Sequence, residues 1–167
     1  YLLITYSKLY GMKSLILRLA NIVGPRQTHG VIVDFIRKLR RDPTKLEILG
    51  DGKQKKSYLH INDLLRALDI TVDYILKSSK CYEIFNVGNN DWIEVNDIAR
   101  IVTEELGLKD VKFIYVRTTP DGRGWPGDVK FMLLDITKLM NLGWKPLMTS
   151  KEAVRETVRS LIATGLP

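Results

Sequence analysis

The stretch "GRGWPGD", residues 122–128, carries Gly122, Gly124 and Gly127 at the spacing G-x-G-x-x-G. That spacing suits a dinucleotide when its glycines close a tight turn after a strand. The next helix must also aim its first N–H groups at a pyrophosphate. The flanks do not meet this requirement. Pro126 lies inside the motif, Asp128 follows it, and "VKFMLLD" reads as extended. The residue types predict instead a mobile, glycine-rich loop carrying Arg123, Trp125 and Asp128, suited to closure over a ligand.

Other side chains offer polar chemistry. Asn21 ends a buried apolar run, where α/β proteins place ligands. Its amide can donate to a phosphate or sugar oxygen and accept from a hydroxyl. Forming the turn before "VGPR" is the other role open to it. His29 precedes a helix whose first N–H groups, at Gly30, Val31 and Ile32, can meet an anion. His60 lies mid-strand and reads as a packed core histidine. Trp125 either packs over a ligand or anchors its loop in the core, and Trp92 and Trp144 read as packing residues. With two histidines far apart and one cysteine, Cys81, neither a metal-ligand spacing nor an internal disulfide is available.

The 167 residues are 45% apolar and 27% charged, a globular composition large enough for a real core. Twenty-six Lys and Arg against 19 Asp and Glu give a net charge of +7. The basic runs are Arg37 to Arg41 and Lys53 to Lys56. They either attract phosphates or form solvated faces, and Lys53 and Lys55 read as solvated. Aromatics do not interleave with these runs, which argues against a nucleic-acid platform. No run of about 18 apolar residues or secretory signal is present, so no membrane partner and a cytoplasmic setting are expected.

The elements that must position these residues alternate between helix and strand. Residues 2–10 carry apolar positions at helical spacing, with Gly11 as the C-terminal cap. "SLILRLANIVG" reads as one buried strand. "GVIVDFIRKLRRDP" is a helix, "KLEIL" a strand, "GDGKQ" a turn and "KSYLHI" another strand. Asn62 or Asp63 is expected to cap the next helix, and Asn96 a later one that ends at Gly107. "CYEIFNVG" and "VKFIYV" are strands, Asp135 caps a short helix, and a last helix follows Ser150. The chain starts without Met and inside a helical pattern, so a fragment of a longer protein is expected.

"LRLANIVGPRQ", "LGDGKQKKSYLHINDL", "FNVGN", "GWPGD" and "DITKLMNLGWKP" occur in that order over nearly the whole chain. Together they resemble the C-terminal part of the extended short-chain dehydrogenase/reductases, and within them the NAD-dependent nucleotide-sugar epimerases of the UDP-glucose 4-epimerase kind. The resemblance implies an α/β fold: the end of a Rossmann-like domain in residues 1–30, then a smaller mixed nucleotide-sugar-binding lobe in 31–167. Some segments of the latter return to the Rossmann-like domain, whose N-terminal NAD-binding part lies upstream. The family's Tyr-x-x-x-Lys pair is absent: none of the seven tyrosines has Lys four residues on. The resemblance places that pair just before Tyr1, so this chain carries no catalytic residue and is expected to be inactive alone.

The resemblance also implies roles. Asn21 contacts the nucleotide diphosphate, and Leu19 and Ala20 line the nicotinamide of NAD. Backbone groups of Glu47 and Leu49 bind the base edge. Lys56 stands where relatives have Arg, giving a point charge in place of a bidentate fork. Trp125 replaces an Arg of the family's R-P-G-D, and Arg123 is positioned to supply the missing cation. Asp128 accepts ribose hydroxyls or, alternatively, only forms a turn. The implied activity is 4-epimerisation of a UDP-sugar by a homodimer through a 4-keto intermediate. A 4,6-dehydratase, decarboxylase or reductase of the same family, or a non-catalytic nucleotide-sugar-binding module, is the alternative.

Overall fold

The structure, a computed structural model, describes residues 1–165. Helix α1 (Leu2–Tyr10) ends at Gly11, whose left-handed backbone (φ 66°) breaks it as expected. The apolar run that follows is not one strand. It divides at Ala20 into β1 (Ser14–Leu19) and β2 (Asn21–Val23). Helix α2 (Val31–Arg41) leads to β3 (Lys45–Leu49). The next expected strand also divides, at Ser57, into β4 (Lys55–Lys56) and β5 (Tyr58–His60). Then come α3 (Ile61–Lys77), β6 (Tyr82–Val87), β7 (Ile93–Glu94), α4 (Val95–Glu105), β8 (Lys112–Val116) and β9 (Phe131–Met132). Helices α5 (Thr137–Met140) and α6 (Ser150–Ala163) complete the described chain.

Both divisions are changes of partner. β1 runs parallel to β6, whereas β2 runs parallel to β5. β4 leaves β5's neighbourhood to pair with β7 and β9. The Asn21 amide donates to the Ser57 carbonyl at 3.0 Å, which ties the two break points together. Pairing partners are set by distant residues, so a local apolar run does not reveal such a switch. β3 and β8 form a further parallel pair.

Two apolar clusters sit beneath these layers. In the larger one, Ile32, Ile36 and Leu39 of α2 face Ile48, Ile98, Val102, Val154 and Val158. These α2 positions recur at helical spacing, so one stripe of the helix is buried, while its Asp34, Arg37 and Arg40 lie off that stripe. In the smaller cluster, Leu59, Ala67, Phe85, Val87, Leu139 and Trp144 join α3 to β1 and β6. Trp144 is buried and its indole N–H donates to the Asp63 carbonyl at 3.1 Å. Trp92 is not core: it is 41% exposed, with the Lys55 ammonium 4.0 Å from its ring centroid.

The helix caps also differ from expectation. His60 Nδ1 accepts the Asn62 N–H at 3.3 Å and caps α3. Asp63 is therefore free to tie distant chain: its buried carboxylate accepts from Arg66 and from the Leu147 N–H. Glu94, without a side-chain bond, precedes α4, and Asn96 accepts the Tyr115 hydroxyl at 3.0 Å instead. Asp135 does receive the Thr137 N–H at 2.9 Å. Helix α6 starts at Ser150 with a capping box between Thr149 and Glu152.

Candidate nucleotide-binding site

Five chain segments converge on one cavity of about 310 Å³. The N-terminal turn of α2 brings Gly30, Val31, Asp34 and Phe35. The end of β3 brings Leu49, and the segment from the following turn into β5 brings Gln54, Lys56 and Tyr58. The start of α4 adds Val95, and the glycine-rich loop adds Trp125 and Asp128. The volume suits a small-molecule group, and the lining is apolar with a few convergent polar atoms.

The pleat of β4 decides which lysine faces the site. Lys55 is paired with Glu94 and Phe131, and Lys56 with Ile93 and Met132, so the two lysines point to opposite sides of this small sheet. Lys55 lies 3.5 Å from Glu94 and over Trp92, so it is an engaged side chain and not merely a solvated one. Lys56 faces the cavity and meets Asp128 at 2.7 Å. Their side chains are only 19% and 3% exposed, so water screens this pair less than it would at the surface.

The loop that holds Asp128 is hydrogen-bonded throughout. Trp125, Pro126, Gly127 and Asp128 make a turn closed by Asp128 N–H to Trp125 C=O at 3.0 Å. Proline presets the second position, and Gly127 supplies the positive φ, 90°, at the third. Gly122 also has positive φ, and a Cβ there would lie 2.5 Å from the Asp51 carboxylate. The Gly124 N–H donates to the second Asp128 oxygen at 3.2 Å, while Thr118 holds the Gly124 carbonyl at 2.5 Å. The loop thus contains a hydrogen-bonded turn. It runs into β9 and not into a helix, so the pyrophosphate cradle that the glycine spacing suggested is absent from its flanks.

Above this ion pair, α2 begins at Gly30 with no side-chain cap. Its first N–H groups keep their partial positive charge at the cavity edge. Tyr58 is buried at 7% exposure. Burial, and secondarily the negative charge of Asp128, push its phenol well above the ordinary tyrosine value, so it stays protonated. A phenol in that state can donate a hydrogen bond but does not serve as a base near neutrality.

Of the residues singled out from sequence, Gly30, Val31, Leu49, Lys56 and Asp128 line this cavity. Ile32 is fully buried in the core, leaving only its backbone near the helix start. Glu47 turns its side chain toward Lys38 at 3.7 Å, and its carbonyl accepts from the same ammonium at 3.3 Å. Arg123 pairs with Asp121 at 2.6 Å and reaches the Asp128 carbonyl at 3.4 Å, outside the cavity lining. Asn21 is held by Ser57, and Leu19 and Ala20 lie at the C-terminal end of β1. His29 is exposed, with its ring 3.3 Å from the Thr28 hydroxyl. Trp125 is 53% exposed and lines the cavity, so it does not anchor the loop in the core.

Sequence reasoning missed Asp34, Phe35, Gln54, Tyr58 and Val95. Two signals were present. Asp34 and Phe35 follow Val31 by three and four positions on one helix face, and Tyr58 follows Lys56 by two in an extended stretch. Among the described residues no cluster of His, Cys, Asp and Glu could hold a metal ion, and no helix is long and apolar enough to cross a membrane.

Known proteins agree with this architecture. The chain is 32% identical over 157 residues to a putative UDP-glucose 4-epimerase of Methanocaldococcus jannaschii, covering 92% of this chain and 47% of that protein. A solved UDP-galactose 4-epimerase superposes with a TM-score of 0.85 at 43% identity, covering 98% of this chain and 50% of the other. A UDP-glucose 4-epimerase of Thermotoga maritima, solved with UDP-glucose, gives 0.77 at 28% identity over 96% of this chain and 49% of the other. The chain thus spans about half the length of these relatives. The first half of the chain, residues 1–88, matches the family directly, and the chain belongs to the NAD dependent epimerase/dehydratase family.

Proposed function

We propose that this chain is the substrate-binding portion of an NAD-dependent nucleotide-sugar 4-epimerase, with a UDP-sugar of the glucose/galactose type as substrate. The observation that carries the reading is the convergence of the α2 N-terminus, the end of β3, Lys56 and Asp128 on one cavity. An uncapped helix start and an ammonium favour phosphate, and the carboxylate of Asp128 is an acceptor for ribose hydroxyls. Leu49 ends an extended strand whose backbone groups suit a base edge. In this reading Arg123 and Asn21 turn toward the diphosphate once it is bound, and Glu47 contributes only backbone.

Leu19 and Ala20 are the residues that fit the nicotinamide end of NAD. Leu19 is half-exposed and apolar, and the backbone at Gly88 comes close enough to Ala20 that a Cβ there would lie 2.9 Å from the alanine methyl. NAD, when bound, supplies hydride exchange at C4 of the sugar. The 167 residues contain no Tyr-x-x-x-Lys pair, and among the described residues the G-x-G-x-x-G loop runs into strand β9 and not into a helix. Their share of the work is to bind and orient: remote binding energy at the nucleotide holds the hexose in place for chemistry performed elsewhere in the protein. The same reading makes the whole protein a cytoplasmic homodimer and this chain inert by itself.

The test uses the whole protein and its Asp128→Ala variant. UDP titration should show a loss of roughly 1–3 kcal/mol, the size of a hydrogen bond to a charged group. Bound NAD should be unchanged. Loss of NAD with unaltered UDP affinity overturns the assignment of this loop, and sugar epimerisation by the 167-residue chain alone overturns its inert status.

A further inference from the structure

The charges around the cavity nearly cancel. Among the described residues that line it, Lys56 is the one cation, and its ammonium is already 2.7 Å from Asp128. Both Asp128 oxygens are engaged, one by Lys56 and the other by the Gly124 N–H. The second lining carboxylate, Asp34, is paired with Lys38 at 2.8 Å. Within the lining itself, the field left for a polyanion is that of a helix start and one shared ammonium, and Arg123, outside the lining, must leave Asp121 at 2.6 Å to add to it. The apolar wall is larger: Val31, Phe35, Leu49, Tyr58, Val95 and Trp125.

Trp125 stands out within that wall. It is 53% exposed, while Phe35 and Tyr58 are buried behind the surface. An exposed indole on a flexible loop would contribute little, because ordering it costs entropy. Here the indole is carried by the turn closed at Asp128, and the Lys56 ammonium lies 5.4 Å from its ring centroid. The ring is thus carried at the cavity wall and left half-exposed, and an exposed aromatic surface of that kind is what a planar ligand group needs for stacking.

We propose that Trp125 is a specificity-determining residue: a planar nucleoside group stacks on its indole, and the cavity selects ligands by the nucleoside more than by the phosphates. The proposal rests on the nucleotide reading of this cavity. It is tested on the whole protein with uridine, UMP and UDP as probes, by titration calorimetry or ligand-observed NMR. The parent should bind the three within about tenfold of one another. Trp125→Ala should weaken all three by a similar factor, roughly 5- to 100-fold, the range for loss of one base–aromatic stack. Trp125→Phe should keep most of the affinity. UDP should quench tryptophan emission more in the parent than in Trp125→Phe, since Trp144 is buried and Trp92 packs with Lys55 and Phe131 outside the cavity lining. Unchanged affinities in Trp125→Ala, or UDP binding more than about 100-fold tighter than uridine, overturn the proposal while leaving the nucleotide reading intact. No binding of any probe by the parent overturns both.

Discussion

Helices α1 and α2 both carry apolar residues at helical spacing, yet they end in opposite environments. In α2, Ile32 and Ile36 have no exposure and Leu39 has 1%. In α1, Leu2, Leu9 and Tyr10 are 77%, 69% and 68% exposed, and the buried residue is Ser7. The difference lies in what surrounds them. α2 closes against β3 and α4 within the larger cluster, which α6 completes from the side of α4, and its free N-terminus opens on the candidate site. α1 touches mainly β1, whose own far end is exposed at Leu19. The closed layer therefore fixes the geometry of the site, and the open layer offers apolar surface of the kind that marks an interface.

This contrast can be broken most sharply in the closed layer. Leu39→Ala removes a buried side chain of the larger cluster and should cost about 2–5 kcal/mol in urea unfolding. A cost below about 1 kcal/mol would mean that the α2 layer is less completely packed than described. The open layer should respond to acid through Glu83. This β6 carboxylate is buried, which by itself pushes its pKa up, but Lys138, Lys80 and the Ile84 N–H more than offset that and bring it down to about 2. Its folded pKa lies below its unfolded one. The stabilisation is therefore complete above about pH 4.5 and is lost as pH falls from there toward 2. Because both lysines are half-exposed, it should amount to about 1–2 kcal/mol. Glu83→Gln should flatten stability across that acid range, and an unchanged acid profile would remove the ionic tie between β6 and α5. The smallest effect is expected at Leu9→Ala, within about 0.5 kcal/mol. Light scattering of the same variant should show weaker self-association if α1 is a contact surface, and a strictly monomeric parent would end that idea.

The two helices also show how much was legible in the chain. A stripe of Ile32, Ile36 and Leu39 preceded by Gly30 and followed by Pro43 states both the existence and the buried face of α2. Nothing local states that the runs through Ala20 and Ser57 each change strand partner, because the partners come from residues far along the chain. Caps misled for a related reason. Asn62, Asp63 and Asn96 have capping chemistry, but tertiary contacts with Leu147 and Tyr115 recruit Asp63 and Asn96 for other bonds. At the site, the charged residues Lys56 and Asp128 were legible through residue type and motif order. The wall residues Phe35, Tyr58 and Val95 were not, since an apolar side chain reads the same whether it faces a core or a ligand.

On the proposed function, the nucleotide enters the cavity between α2, β3 and the residue 122–128 loop. Backbone amide shifts of the whole protein, followed by NMR as UDP is added, test it most directly. Saturable changes are expected at Gly30, Val31, Leu49, Lys56, Trp125 and Asp128, with the α1 residues and the Tyr82–Ile84 end of β6 unmoved. Saturable changes confined to β1 and α1, with those six amides silent, would contradict it.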